Sequence, residues 1–264
     1  MWYNLRKIET QGEVLIIKRN KKTVEIIIAV IAAVIVAVAG IGGGKKEKPP
    51  EVPKGSAVSI KESPIESGSL SYSEIPEYSG SPFTAVHGNV PFFKDSDLSE
   101  KSFEYYSPLD SLGRCGPASA SVGKDLFPEG KRGKIGNIKP SGWHQKKYDF
   151  VDGKYLYNRC HLIGWQLSGE NDNERNLITG TRTFNTAGMM PFENMVADYV
   201  KETGNHVMYR VTPYFEGDDL VAKGVLMEGE SVEDKGEGIL FCTFVYNREP
   251  GVTIDYSTGE NRRA

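Results

Sequence analysis

Between residues 26 and 43 the chain reads IIIAVIAAVIVAVAGIGG, eighteen positions without a charged or strongly polar side chain. A helix of that length, at about 1.5 Å per residue, spans roughly 27 Å, close to the hydrocarbon thickness of a bilayer. A buried core helix would show polar residues at intervals, so the run predicts a transmembrane helix. Residues 45–80 are rich in Lys, Glu, Pro, Ser and Gly, the composition of a flexible tether. Apolar density then returns and holds to about residue 257, as in one compact domain. Inside it, Phe192, Met195, Val196, Tyr199 and Val200 recur at helical spacing, with Pro191 suited to the first turn and Gly204 to the position past the end. The runs HVMYRVTPYF, LVAKGVLMEG and GILFCTFVYNR read as strands joined by acidic or glycine-rich turns. Asp152-Gly153 separates two β-prone runs in YDFVDGKYLYNRCHL, a hairpin signal, and NLITGT (176–181) is a further strand. The pattern predicts an α+β fold with a mostly antiparallel central sheet.

These boundaries divide the chain into a cytoplasmic segment (1–25), a membrane anchor (26–43), a linker (44–78) and a folded domain (79–264). Arg6, Lys7, Lys18, Arg19, Lys21 and Lys22 precede the apolar run, against Lys45, Lys46 and Lys48 after it. The positive-inside rule puts the N-terminus in the cytoplasm and the domain outside a single-pass cell-membrane anchor. Ala37-Val38-Ala39 has the small-x-small form of a signal-peptidase site, so a secreted product is the alternative, exported either way. The formal net charge of −3 gives no global sign of a polyanionic partner. Three cysteines (Cys115, Cys160, Cys242) cannot all pair within one chain, and no C-x-x-C or H-x-x-x-H spacing points to zinc.

The chemistry concentrates in YLYNRCHLIGWQL (155–167). On a strand, residues two apart share a face, so Arg159 and His161 project together. A guanidinium matches the oxygens of a phosphate, and an imidazole near its ordinary pKa takes a proton from water at neutral pH. His161 alone equally suits a hydrogen-bonded core residue. Downstream, Asn176, Asn185 and Glu193 offer hard oxygen donors of the kind Mg²⁺ prefers. The two asparagines equally fit turn geometry, and Glu193 equally complements a helix dipole.

The segment 155–213 resembles the DNA/RNA non-specific endonuclease family with its ββα-metal finger, in particular its streptococcal-type membrane-anchored or secreted DNases. The family motif Asp-Arg-Gly-His stands here as Asn158-Arg159-Cys160-His161, matching at the second and fourth positions. The family's intervals, an asparagine, another nine later and a glutamate eight beyond, are reproduced by Asn176, Asn185 and Glu193. The resemblance covers most of 80–257. It implies that His161 is the general base, that Asn185 is the direct protein ligand of Mg²⁺ (Mn²⁺ as a substitute), and that Glu193 holds metal-bound water. It implies Asn176 as a residue orienting base or phosphate, and Arg159 as the phosphate-binding residue. The activity implied is sequence-non-specific hydrolysis of phosphodiester bonds in DNA, or RNA, outside the cell. Cys160, on the opposite strand face, is expected to pack behind the site.

Residues 124–147 hold seven Lys and Arg residues against Asp125 and Glu129, a stretch able to follow a phosphate backbone or simply to be a solvated loop. Lys124 and Arg132 are expected to hold DNA there, with Arg182 as a further substrate contact. His87, His144 and His206 read as structural or surface residues. Two other classes compete: a sortase-like transpeptidase using Cys242, Arg248 and His161, and a non-catalytic surface DNA-binding module.

Overall fold

The computed structural model describes residues 8–10, 13–15 and 70–264. The predicted anchor (26–43), and most of the flanking cytoplasmic segment and linker, lie outside the described residues. Strands β1 (Ile8–Thr10) and β2 (Glu13–Leu15) pair antiparallel. No helix among the described residues is long and apolar enough to cross a membrane.

The domain contains β3 (Phe83–Ala85), β4 (Phe103–Tyr106), β5 (Ala118–Val122), β6 (Tyr157–His161), β7 (Leu177–Thr181), helix α1 (Met190–Thr203), β8 (Val207–Tyr214), β9 (Gly224–Ser231), β10 (Leu240–Tyr246), β11 (Val252–Ile254) and β12 (Asn261–Arg263). Six strands form an antiparallel sheet in the order β3-β10-β9-β8-β5-β4. The fold is therefore α+β around a central antiparallel sheet, as the alternating runs at 206–248 predict. Val196, Ala197 and Val200 of α1 are fully buried against Val207, Tyr209, Val225 and Phe241 of that sheet. Gly204, at φ 76°, ends the helix in the left-handed region that glycine enters without strain. On the other sheet face Leu226, Cys242, Phe244 and Tyr246 are covered by Leu70, Ile75, Tyr78 and Phe92. A buried Arg210–Glu228 pair, 2.6 Å apart, lies on this side, and Glu228 also accepts the Phe92 N–H at 2.9 Å. All three cysteines are buried free thiols.

The predicted hairpin across Asp152-Gly153 is not a two-stranded ladder. Gly153 and Lys154 are both left-handed, at φ 68° and 67°, and close a compact loop. Bonds within that loop, such as Val151 N–H to Tyr148 O and Lys154 N–H to Val151 O, take up the groups a ladder would use, leaving a single bridge between Lys147 and Tyr155. Strand β6 pairs instead with β7, Arg159 opposite Thr179 and His161 opposite Leu177. A π-helical stretch, Phe184–Met189, then runs directly into α1.

Candidate active site

Strand β6, the π-helical stretch and the first turn of α1 wall a cleft of about 1000 Å³. Of the eight predicted site residues, six line it: Arg132, Arg159, His161, Arg182, Asn185 and Glu193. Strand alternation delivers Arg159 and His161 to the same face, while Cys160 packs behind them, wholly buried, against Gly180.

His161 is only 6% exposed. Its Nε2 donates to the carbonyl of Asn171 at 2.9 Å, and its Nδ1 accepts from Arg132 Nη2 at 3.1 Å. Burial, seconded by the Arg132 charge and opposed by the Asn171 carbonyl, lowers its pKa to about 4, so the ring is neutral at neutral pH. Arg159 donates through Nε to Ile138 O and through Nη2 to Gly136 O at 2.8 Å, and lies 4.2 Å over the Trp143 ring. Arg182 places Nε and Nη2 on Asp152 Oδ2 at 2.9 and 2.8 Å.

Asn185, on the π-helical stretch, lines the same cleft as the base, and no protein hydrogen bond engages its carboxamide among the described residues. Glu193 lies in the first turn of α1 and is partly buried. Enclosure raises its carboxyl to about 7, against the pull of Arg132 and a hydrogen bond from Gln166. A carboxyl and an unengaged amide oxygen lining one cleft fit a hard cation that keeps most of its water. No group of three or more His, Cys, Asp or Glu able to hold a metal occurs among the described residues.

Two predicted positions fall elsewhere. Asn176 does not face the cleft; it is fully buried, accepting the Ile163 N–H at 2.9 Å and donating to Ile163 O at 3.0 Å. Its contact with the base is thus indirect, through the backbone two residues beyond His161. Asn176→Ala orphans both Ile163 groups and is expected to cost about 2–4 kcal/mol. A thermal melt checks this, and an unchanged Tm would contradict the clamp. Lys124 sits exposed on the turn Lys124–Leu126 and is not among the cleft-lining residues. Of the pair, only Arg132 reaches the cleft.

The transpeptidase alternative fails on placement. Cys242 is fully buried in the core on the far sheet face, where desolvation raises its thiol pKa, the opposite of an activated nucleophile. The other histidines have local partners: His87 stacks on Phe92, His144 pairs with Glu260 and His206 with Glu233.

Sequence reasoning missed Asn171, whose backbone oxygen orients the ring, and Gly164. A Cβ at Gly164 would meet Glu193 Oε2 at 2.7 Å. Gly164 has an ordinary φ of −56°, so its value is space rather than conformational freedom. Gly164→Ala is expected to fold normally but push the carboxylate aside, weakening the hold on an added divalent cation by roughly tenfold. A calorimetric titration with Mg²⁺ reads this, with coincident curves as the contrary result. The signal in the sequence was faint, a lone glycine three residues after the histidine.

A two-stranded hairpin feeding a helix, with an imidazole on the hairpin and an amide and carboxylate on the helix side, is the layout of a ββα finger. The chain belongs to the DNA/RNA non-specific endonuclease family, whose model matches residues 95–233. It is 28% identical over 214 residues to a deoxyribonuclease of Streptococcus dysgalactiae subsp. equisimilis, covering 63% of this chain and 64% of that relative's length. Its fold matches NucA of Streptococcus agalactiae with a magnesium ion bound, at a TM-score of 0.62 and 24% identity, over 70% of this chain and 91% of the other. It also matches Sda1 nuclease with a bound zinc ion, at a TM-score of 0.53 and 28% identity, over 63% and 83%.

Proposed function

We propose that this protein is an Mg²⁺-dependent endonuclease that hydrolyses phosphodiester bonds in DNA, with RNA as the alternative substrate, without sequence preference. The observation that carries the reading is one cleft holding a neutral imidazole, an unengaged carboxamide, a raised carboxyl and three arginines. His161 takes a proton from water at Nδ1, with Nε2 fixed on Asn171. The water oxygen bonds to phosphorus and the bond to the 3′-oxygen breaks, leaving a 5′-phosphate. Arg159, immobilised on the carbonyls of residues 136 and 138, presents its remaining N–H groups to the phosphate. Asn185 and Glu193 would hold the cation, Mg²⁺ or Mn²⁺, which supplies charge neutralisation for the leaving oxygen. Backbone contacts carry no base information, which favours non-specific cutting.

The apolar run 26–43 and the flanking basic residues support an exported domain on a single-pass anchor, or a secreted one after cleavage. The test is supercoiled plasmid incubated with the full chain, with Mg²⁺, with EDTA, or with a thiol alkylator. Nicking and linearisation should need the cation and survive alkylation, because the thiols are buried. Binding without cleavage in Mg²⁺ would favour a DNA-binding module instead.

A further inference from the structure

We infer that Arg132 is a latch on the base: in the free chain it covers the lone pair His161 needs, and an incoming phosphodiester draws it away. The inference deepens the nuclease reading and rests on it.

The argument starts from which atoms carry hydrogen. A carbonyl only accepts, so His161 Nε2, 2.9 Å from Asn171 O, bears the ring proton. A guanidinium only donates, so Nδ1, 3.1 Å from Arg132 Nη2, is the bare nitrogen, its lone pair directed at the arginine. Both ring nitrogens are engaged. The base is held in the tautomer it needs, with its single reactive lone pair covered.

The three arginines of the cleft differ in how they are held. Arg159 is tied to two backbone carbonyls and an indole face, and Arg182 to Asp152. Arg132 is exposed, and its only hydrogen bond among the described residues is the one to His161. One N–H to a neutral imidazole, with an attraction to the Glu193 carboxyl but no hydrogen bond to it, is a weak anchor beside the two-pronged, charge-assisted bond a phosphate offers. A phosphodiester entering the cleft therefore outcompetes the ring, and the exchange frees Nδ1 as phosphorus comes within reach. The neighbouring Gly133 lies so close to Asn171 that a Cβ there would meet Asn171 Nδ2 at 2.5 Å. The latch loop thus abuts the residue whose carbonyl orients the ring.

The experiment uses the full chain with ¹⁵N-labelled histidine, in EDTA, read by long-range ¹H–¹⁵N correlation. In the wild type the His161 Nδ1 resonance should be that of a hydrogen-bonded acceptor. A short phosphorothioate oligonucleotide should shift it downfield, toward a free nitrogen, and Arg132→Ala should show the shifted value without oligonucleotide. Unchanged His87, His144 and His206 signals report that the variant is folded. In parallel, acylation of His161 by diethyl pyrocarbonate, read by mass spectrometry, should be roughly tenfold or more faster in Arg132→Ala, the factor one charged hydrogen bond commands. An Nδ1 resonance alike in wild type and variant, or unmoved by bound oligonucleotide, overturns the latch. If that happens while wild type still cuts plasmid in Mg²⁺, the latch falls and the nuclease reading stands. If plasmid stays intact while Nδ1 responds to Arg132, the nuclease reading falls, and release by substrate falls with it.

Discussion

His161→Ala cuts DNA roughly 10²–10⁴-fold more slowly than wild type, the range a single general base contributes. Asn185→Ala gives a loss of similar size for a different reason: it deletes the one cleft amide that has no protein partner to satisfy. Neither substitution should unfold the domain. His161 has two hydrogen bonds at a cleft wall, and the Asn185 side chain has none among the described residues. The measurement is initial rate on supercoiled plasmid in Mg²⁺, beside a thermal melt of each protein. Added Mg²⁺ should raise the Tm of wild type and His161→Ala alike, but leave Asn185→Ala almost unchanged. A His161→Ala protein digesting plasmid at the wild-type rate would remove the base from the mechanism.

Glu193→Gln should stabilise the metal-free protein, and do so only when the pH is high. The folded carboxyl titrates near 7, against an ordinary value of 4.5, because burial penalises its charge. A raised pKa means the fold holds the proton more tightly than the unfolded chain does. The stability linked to this group is complete below 4.5 and is lost as pH rises through about 7. Glutamine never ionises, so the variant escapes that loss. The Tm of variant and wild type should coincide below 4.5 and separate above 7, by roughly 2–4 °C for each kcal/mol recovered. Glu104, also raised to about 7 by burial, is common to both proteins and cancels in the difference. Mg²⁺ should reverse the order, because the wild type gains a ligand that the variant cannot hold as a carboxylate. A separation independent of pH would show that Glu193 is not ionising in the cleft. The same substitution should also slow cutting.

The regular elements were legible where one period ran long enough. The helix declared itself through Phe192, Met195, Val196, Tyr199 and Val200, and it starts and stops within a residue of Pro191 and Gly204. The strands at 207–214 and 240–246 lie within the runs that announced them, and the strand at 224–231 runs two residues past the end of its own. What misled was local turn chemistry. Asp152-Gly153 is a strong hairpin signal, yet the loop spends its hydrogen bonds on itself, and β6 takes a partner sixteen or more residues downstream. Nothing in the sequence announced the π-helical stretch that presents Asn185. Its widened turn is a feature of backbone bonding, and it leaves no periodic trace in side-chain polarity.

The sequence by itself determined the site's chemical inventory. Two-residue alternation put Arg159 and His161 on one face and Cys160 behind, and the intervals from Asn176 to Asn185 to Glu193 followed the family. Tertiary structure alone decided what each group is doing. Asn176, chemically equal to Asn185, is enclosed and clamps Ile163, whereas Asn185 faces the cleft. Lys124 and Arg132 share one basic stretch, but only Arg132 lies over the base. The reason is physical: alternation and spacing are properties of the chain's own geometry, whereas burial, the ring's tautomer and the raised carboxyl depend on groups brought together from distant positions.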